Sequence, residues 1–283
     1  MAVTEVANVA GSIEDRVSGI VTETLIQDSV MMGAVKDRTA EVGPGMDRLS
    51  IQLLNALALQ NVPSDGTEMT AQTITSTQAE LILDQHKSYF FALGDKVALE
   101  SKLNLVQEEI QNGARVHAAA IDDYLLGLGA AAASAAAPDH IIQFDGSDAL
   151  VDLREAKRLM DLQNVPRFDR FFVAGPTWIS KLLSSSNVIN VDKYGSEAPI
   201  MAGMVTRAFG FNILETTSSA IEDGGFLALQ RDSISFARHM AVKFERERRV
   251  SKQIDEYALT QKYGGVVADA SGVRLVLGNS TGA

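Results

Sequence analysis

The sequence predicts an α+β chain with discontinuous lobes, and three stretches carry that prediction. Residues 95–128 (DKVALESKLNLVQEEIQNGARVHAAAIDDYLLGL) read as one long amphipathic helix. Residues 48–53 and 79–91 alternate polar and apolar, as half-buried strands do, on either side of a Thr-, Gln- and Ser-rich excursion. From residue 226 onward the chain returns to short β patterns separated by turn residues.

Taken in order, residues 1–11 are small and unpatterned and read as a flexible arm. Ser12 opens a helix with Asp15 in the capping-box position, and Ile13, Val17, Ile20, Val21 and Leu25 form its stripe. The pattern fades by 31–33, and Gly43-Pro44-Gly45 breaks it. The strand at 48–53 then leads into ALALQNVPSDGTEMTAQTITSTQ, which has a turn signal at Pro63-Ser64-Asp65-Gly66 but no core pattern. So long an excursion inside a compact domain is either functional or disordered. Its apolar residues, Leu57, Leu59 and Val62, favour a projecting β-hairpin that packs on another molecule.

In the helix at 95–128, Val97, Leu103, Val106, Ile110, Ala114, His117, Ile121, Tyr124 or Leu125 and Leu128 recur at three- and four-residue steps and share one face. Lys102, Gln107, Glu108, Gln111, Arg115 and Asp122 fall on the other. At 1.5 Å per residue the helix spans about 50 Å, a spine for the whole subunit. Gly113 costs about 1 kcal/mol relative to alanine and marks a bend or a close approach of another backbone. The alanine-rich 127–138 reads as the end of the helix and a tight connection.

In the second lobe, 148–163 is an amphipathic helix with Leu150, Leu153, Leu159 and Leu162 on one side, and 170–174 (RFFVA) is a short buried strand. Pro176 sits at a helix start, where its missing N–H does no harm. Residues 200–215 read as a turn and then a strand, with bends at Gly203 and Gly210. The last strand candidates are 226–229, 234–236, 240–250, 266–267 and 273–277, with a turn at Tyr263-Gly264-Gly265.

Composition narrows the function. A formal charge of -11 argues against a broad nucleic-acid or anionic-membrane surface, both of which need clustered Lys and Arg. The absence of cysteine removes disulfides, thiolate metal sites and cysteine nucleophiles together. No secretory signal is expected at the start, and the longest weakly apolar run, 124–137, is too short to span a membrane. There is no phosphate loop, no GxGxxG, no HExxH and no GxSxG. With only four scattered histidines (His86, His117, His140, His239), a familiar catalytic, cofactor or zinc site is not expected. His117 is read as a core or interface residue and the single tryptophan, Trp178, as a core residue. Adjacent helical positions point apart, so Asp122 and Asp123 are read as solvated rather than as a metal pair.

One charge pattern stands out. Between 238 and 252 basic residues, among them Arg246, Arg248 and Arg249, outweigh Glu245 and Glu247, whereas the hairpin region carries Asp47, Asp65, Glu68, Glu80 and Asp84 against Arg48. Two readings fit: cross-strand pairs within one sheet, or the hairpin of one subunit lying over the basic strand of its neighbour.

The order of parts, with LILDQHKSYFFALGD entering the spine, then NVPRFDRFFVAGPTWISKLL, IMAGMVTRAFGFNILET, FARHMAVKFERERR and KYGGVVA, resembles the major capsid proteins of tailed double-stranded DNA bacteriophages with the Hong Kong 97-like fold. The resemblance covers nearly the whole chain. It implies an N-terminal arm (1–45), an extended β-hairpin loop (46–92), a peripheral domain with a long spine helix (93–138) and C-terminal strands (226–283), and an axial domain (139–225). It further implies a non-enzymatic coat protein that assembles as pentamers and hexamers around the genome. Leu57, Leu59, Val62, Pro63, Asp65 and Glu68 would be the loop's subunit contacts, and Arg246, Arg248 and Arg249 the contacts of the basic strand. Implied partners are other copies of the chain, a separate scaffolding protein, a portal and a decoration protein, with DNA enclosed but not specifically bound, in the virion and in the host cytoplasm during assembly. Some members cross-link through a loop lysine; residues 49–85 contain none, so a shell without covalent links is expected. The alternatives are an encapsulin-like compartment shell and an enzyme with an unrecognised site.

Overall fold

The computed structural model describes residues 29–54, 57–62, 68–95, 105–136, 140–144, 148–185, 207–239, 242–268 and 274–280. The predicted helix from Ser12, the first turns of the spine, Pro63, Asp65 and Gly203 lie outside them. In chain order the strands are β1 (Lys36–Asp37), β2 (Arg48–Leu54), β3 (Ser76–Ile82), β4 (Gln85–Gly94), β5 (Ile141–Phe144), β6 (Arg170–Ala174), β7 (Arg207–Ala208), β8 (Phe211–Glu215), β9 (Phe226–Gln230), β10 (Ile234–Arg238), β11 (Lys243–Arg249), β12 (Ile254–Val267) and β13 (Leu275–Ser280). The helices are α1 (Leu105–Ala136), α2 (Ala149–Leu162) and α3 (Pro176–Ser184).

Helix α1 is the predicted spine, and its 32 residues extend about 48 Å. Ile110, Ala114, His117, Ile121 and Leu125 are buried along it, as their spacing requires. It does not stop near residue 128. The alanine run continues the helix to Ala136, because alanine has the best helix propensity and tertiary packing covers that end. The two helical glycines that face the core mark the close approach of side chains from the sheets rather than of another backbone. A Cβ on Gly113 would lie 2.6 Å from Leu259 and 2.8 Å from Tyr89, and one on Gly129 would lie 2.6 Å from Leu227.

Two sheets flank the spine. In the first, β12 is the organising strand: β4 runs antiparallel along its residues 254–263, while β11 and then β10 pair antiparallel with successive parts of it, and β1 adds parallel to β10. The second sheet has the order β5-β13-β9-β6-β8-β7. It is buried on both faces, so its strands read as continuous apolar runs. Phe171, Val173, Leu227 and Leu229 point into the core beneath α1, whereas Phe172, Ala174, Phe226 and Ala228 face α2 and α3. Around Phe172 the rings of Trp178 and Phe226 stand 4.5 Å away and that of Phe211 5.8 Å away, each buried aromatic contributing on the order of 2 kcal/mol.

Three further expectations change. The strand foreseen at 79–91 divides at Leu83-Asp84: β3 stays with the hairpin, and β4 joins the first sheet. Tyr263-Gly264-Gly265 is not a turn but the interior of β12, whose start at Ile254 the sequence pattern did not reveal. Gly264 is there because the hairpin base crosses it; a Cβ would sit 2.0 Å from the Ile82 carbonyl oxygen. Leu162, assigned to the apolar side of α2, is 63% exposed at the helix end.

Candidate assembly surfaces

Strands β2 and β3 pair antiparallel from Arg48↔Ile82 to Leu54↔Ser76 and form a two-stranded sheet of their own. Seven residues at about 3.3 Å each carry the hairpin roughly 23 Å from its base. The base is locked. Ile51, Leu81 and Leu83 pack with Ala237 of β10, Leu83 N–H donates to the Asp47 carbonyl at 3.0 Å, and Lys262 of β12 donates to the Asp47 carboxylate. Beyond Leu54, glutamines take over the ladder. Gln72 bridges to both the N–H and the carbonyl of Ala58, at 3.0 and 2.6 Å, and Gln60 donates to the Thr70 carbonyl at 2.8 Å.

This hairpin leaves its apolar side chains uncovered. Leu54, Leu57, Leu59, Val62, Met69 and Ile74 are each about half exposed or more, with Leu59 wholly so. A two-stranded ribbon has no second layer to bury them, so they need a surface from elsewhere. Of the predicted loop residues, Leu57, Leu59, Val62 and Glu68 all lie on this exposed part.

The basic strand is β11, and its arginines have partners within the chain. Arg246 donates to Asp255 at 2.9 Å, Arg249 pairs with Glu256 at 2.8 Å, and Arg248 clasps Asp95 as well as Asp255. The Arg248 clasp holds the Asp95 carboxyl below the usual range. These pairs lie within one sheet, but their acids are on β12 and at Asp95 rather than on the hairpin. On the hairpin, Glu80 likewise pairs with Arg48.

A second anchoring point was missed in sequence. Asp122, expected on the solvated face, is buried, and it holds the segment entering from the N-terminal side. Its carboxylate accepts from Ser29 Oγ at 2.6 Å, Val30 N–H at 2.9 Å and Met31 N–H at 2.9 Å. Burial pushes its pKa up while these three donors pull it down. Beside it, Asp123 accepts from Ser218 in an open cleft of about 870 Å³ between α1 and the 215–219 segment. His117 is a core residue: Nε2 meets the Leu259 carbonyl and Nδ1 meets Gln261, each at 3.0 Å, and burial lowers its pKa. Trp178 is also core, donating to Asp152 at 3.1 Å. Among the described residues there is no group of three His, Asp or Glu side chains that could hold a metal ion.

Solved structures similar to this chain come from phages and include two capsids. A structure from Mycobacterium phage Che8 has a TM-score of 0.73 and 21% identity, covering 90% of this chain and 92% of the other. The capsid of cyanophage P-SCSP1u follows at 0.72 and 16%, covering 90% and 89%. The chain has the phage capsid fold. The mature capsid of bacteriophage PhiM1 matches too, with a TM-score of 0.69, 13% identity and coverage of 90% and 88%. No protein-family model and no curated protein sequence matches. Asp122 escaped sequence reading because its partners lie some ninety residues away and two of them are backbone amides.

Proposed function

We propose that the chain is the major capsid protein of a tailed double-stranded DNA phage, which assembles as pentamers and hexamers into the icosahedral shell. The observation that carries this reading is the capsid fold bearing a projecting hairpin whose apolar side chains the subunit itself leaves bare. In this reading residues 1–45 are the N-terminal arm, 46–92 the extended loop, 93–138 and 226–283 the peripheral domain, and 139–225 the axial domain. A spine of about 48 Å stiffens a thin plate, and hairpins that bury apolar area on neighbours supply many repeated contacts. The acidic balance of -11 suits a container wall along which packed DNA slides without sticking. The protein works in the virion with a portal and, during assembly, with a separate scaffolding protein. Residues 49–85 supply no lysine for a covalent link, so the shell is held by non-covalent contacts.

The test is assembly. Full-length protein, alone and with a scaffolding protein co-expressed, is examined by size-exclusion chromatography with light scattering and by negative-stain microscopy. Closed particles, or rings of five and six, are expected. Deletion of residues 61–70 should leave a folded subunit that makes no stable shell. A full-length chain that remains monomeric under both conditions refutes the proposal.

A further inference from the structure

A chain of buried polar groups crosses from the spine into the first sheet and stops short of a partner. His117 Nε2 lies 3.0 Å from the Leu259 carbonyl, which can only accept, so Nε2 carries the hydrogen. Burial lowers the pKa of the ring and keeps it neutral, which makes Nδ1 an acceptor. Gln261 therefore turns its Nε2 amide group to Nδ1, at 3.0 Å. The direction of every bond in the chain follows from that one carbonyl, and Gln261 Oε1 is left at its end as an acceptor in need of a donor. Gln261 is 1% exposed, and among the described residues Oε1 meets no partner. A buried acceptor left unmade forfeits its hydration with nothing in return.

The complementary donors are on the next strand. Arg238 of β10 is in register with Tyr263 of β12, so Arg238 and Gln261 are diagonal neighbours about 7 Å apart on one face. That face looks at the spine, since the Tyr263 hydroxyl reaches the Ala120 carbonyl. Arg238 is 9% exposed, and among the described residues its Nε and Nη1 have no hydrogen-bond partner. The sheet is also interrupted here. Strand β10 pairs with β12 as far as Tyr263 and β11 takes over at Thr260, so neither has a residue in register with Gln261. We propose that internal water occupies this interruption and joins Gln261 Oε1 to the Arg238 guanidinium, completing a polar relay from the spine through β12 to β10. Water fits because it accepts from the arginine and donates to the glutamine oxygen, giving it the two polar partners that a buried water needs. An anion would be repelled by Oε1, and Nε and Nη1 diverge around the guanidinium, so one carboxylate does not meet both. Asp37, whose charge reaches Arg238, is held by Thr39 instead.

The first measurement is a crystal structure of the unmodified full-length chain at a resolution that shows ordered water, with a second crystal soaked in bromide. Density within hydrogen-bond distance of both Gln261 Oε1 and the Arg238 guanidinium is expected, with no anomalous peak after the soak. Empty space, a direct bond between Arg238 and Gln261, or a bromide peak would each overturn the proposal. A double-mutant cycle supplies the second measurement, with Arg238→Met, Gln261→Met and the double variant unfolded in denaturant. The lost contact to His117 enters both arms of the cycle and cancels. Because the double variant strands neither group, its folding equilibrium constant should exceed the product of the two single effects by about tenfold. Additive effects would show that the two side chains are not joined and overturn the relay.

Discussion

Replacing Asp122 by alanine tests how the spine helix holds the segment at residues 29–35. The carboxylate accepts three hydrogen bonds, from Ser29 Oγ, Val30 N–H and Met31 N–H, at 2.6 to 2.9 Å. Val30 lines the open cleft, so water replaces part of its bond, and the bonds of Val30 and Ser29 are lost at a net cost of about 1 kcal/mol each. Met31 is fully buried, and its N–H is left without a partner at a cost of about 1–3 kcal/mol. The variant recovers some free energy because burial disfavours the charged carboxylate, as its raised pKa shows. The net loss should be about 2–4 kcal/mol, or a fall in melting temperature of roughly 4–8 °C for a chain of this size. Amide exchange in residues 29–35 should accelerate by about thirtyfold or more, since that segment can open without the sheets unfolding. The assay is hydrogen–deuterium exchange by mass spectrometry beside a calorimetric melt. A melting temperature within 1 °C of the parent and unchanged exchange at 29–35 would refute the clasp.

Further outcomes follow from the packing. Gly113→Ala sets two effects against each other: helix propensity favours alanine by about 1 kcal/mol, but the added Cβ collides with Leu259 and Tyr89, so a net loss of about 1–2 kcal/mol is expected by denaturant titration. Gly264→Ala places a methyl against the Ile82 backbone and should cost about 3 kcal/mol or more, with faster proteolysis of the hairpin base as a local readout. Acidification has a definite sign. Lys262, Arg248 and Lys36 hold Asp47, Asp95 and Asp232 below their ordinary value of 3.8, so these groups bind fewer protons folded than unfolded. Their contribution is present above about pH 4 and lost as pH falls through the depressed values, so melting temperatures should drop between pH 4 and pH 3. Asp122, raised by burial, works the other way, and Asp122→Asn should steepen the acid drop slightly.

Much of the architecture was legible because it rests on local periodicity. The spine, the hairpin strands, helices α2 and α3 and the strand at 170–174 all announce themselves by spacing and capping. Pro176 begins α3, and Asp148 caps α2 by accepting from the Leu150 N–H. Resemblance in the order of these parts pointed to the phage capsid fold, and the structure has it. The bare apolar residues of the hairpin were also readable, since a two-stranded element with no core of its own must leave them exposed.

Tertiary structure decided the rest, wherever one local pattern admits two environments. Glycine reads as a turn in isolation, yet Gly264 serves a backbone crossing from a hairpin nearly two hundred residues earlier. Paired aspartates on a helix read as solvated, yet Asp122 is buried because distant backbone amides need an acceptor. An alanine run reads as a connection until a sheet packs against it through Gly129 and Ala133 and continues the helix. The arginines of β11 were equally compatible with a neighbour, and only the register of β11 on β12 gave Arg246 and Arg249 their partners in the same sheet. Composition and spacing fixed which side chains can form an element; only long-range contacts determined what those side chains meet.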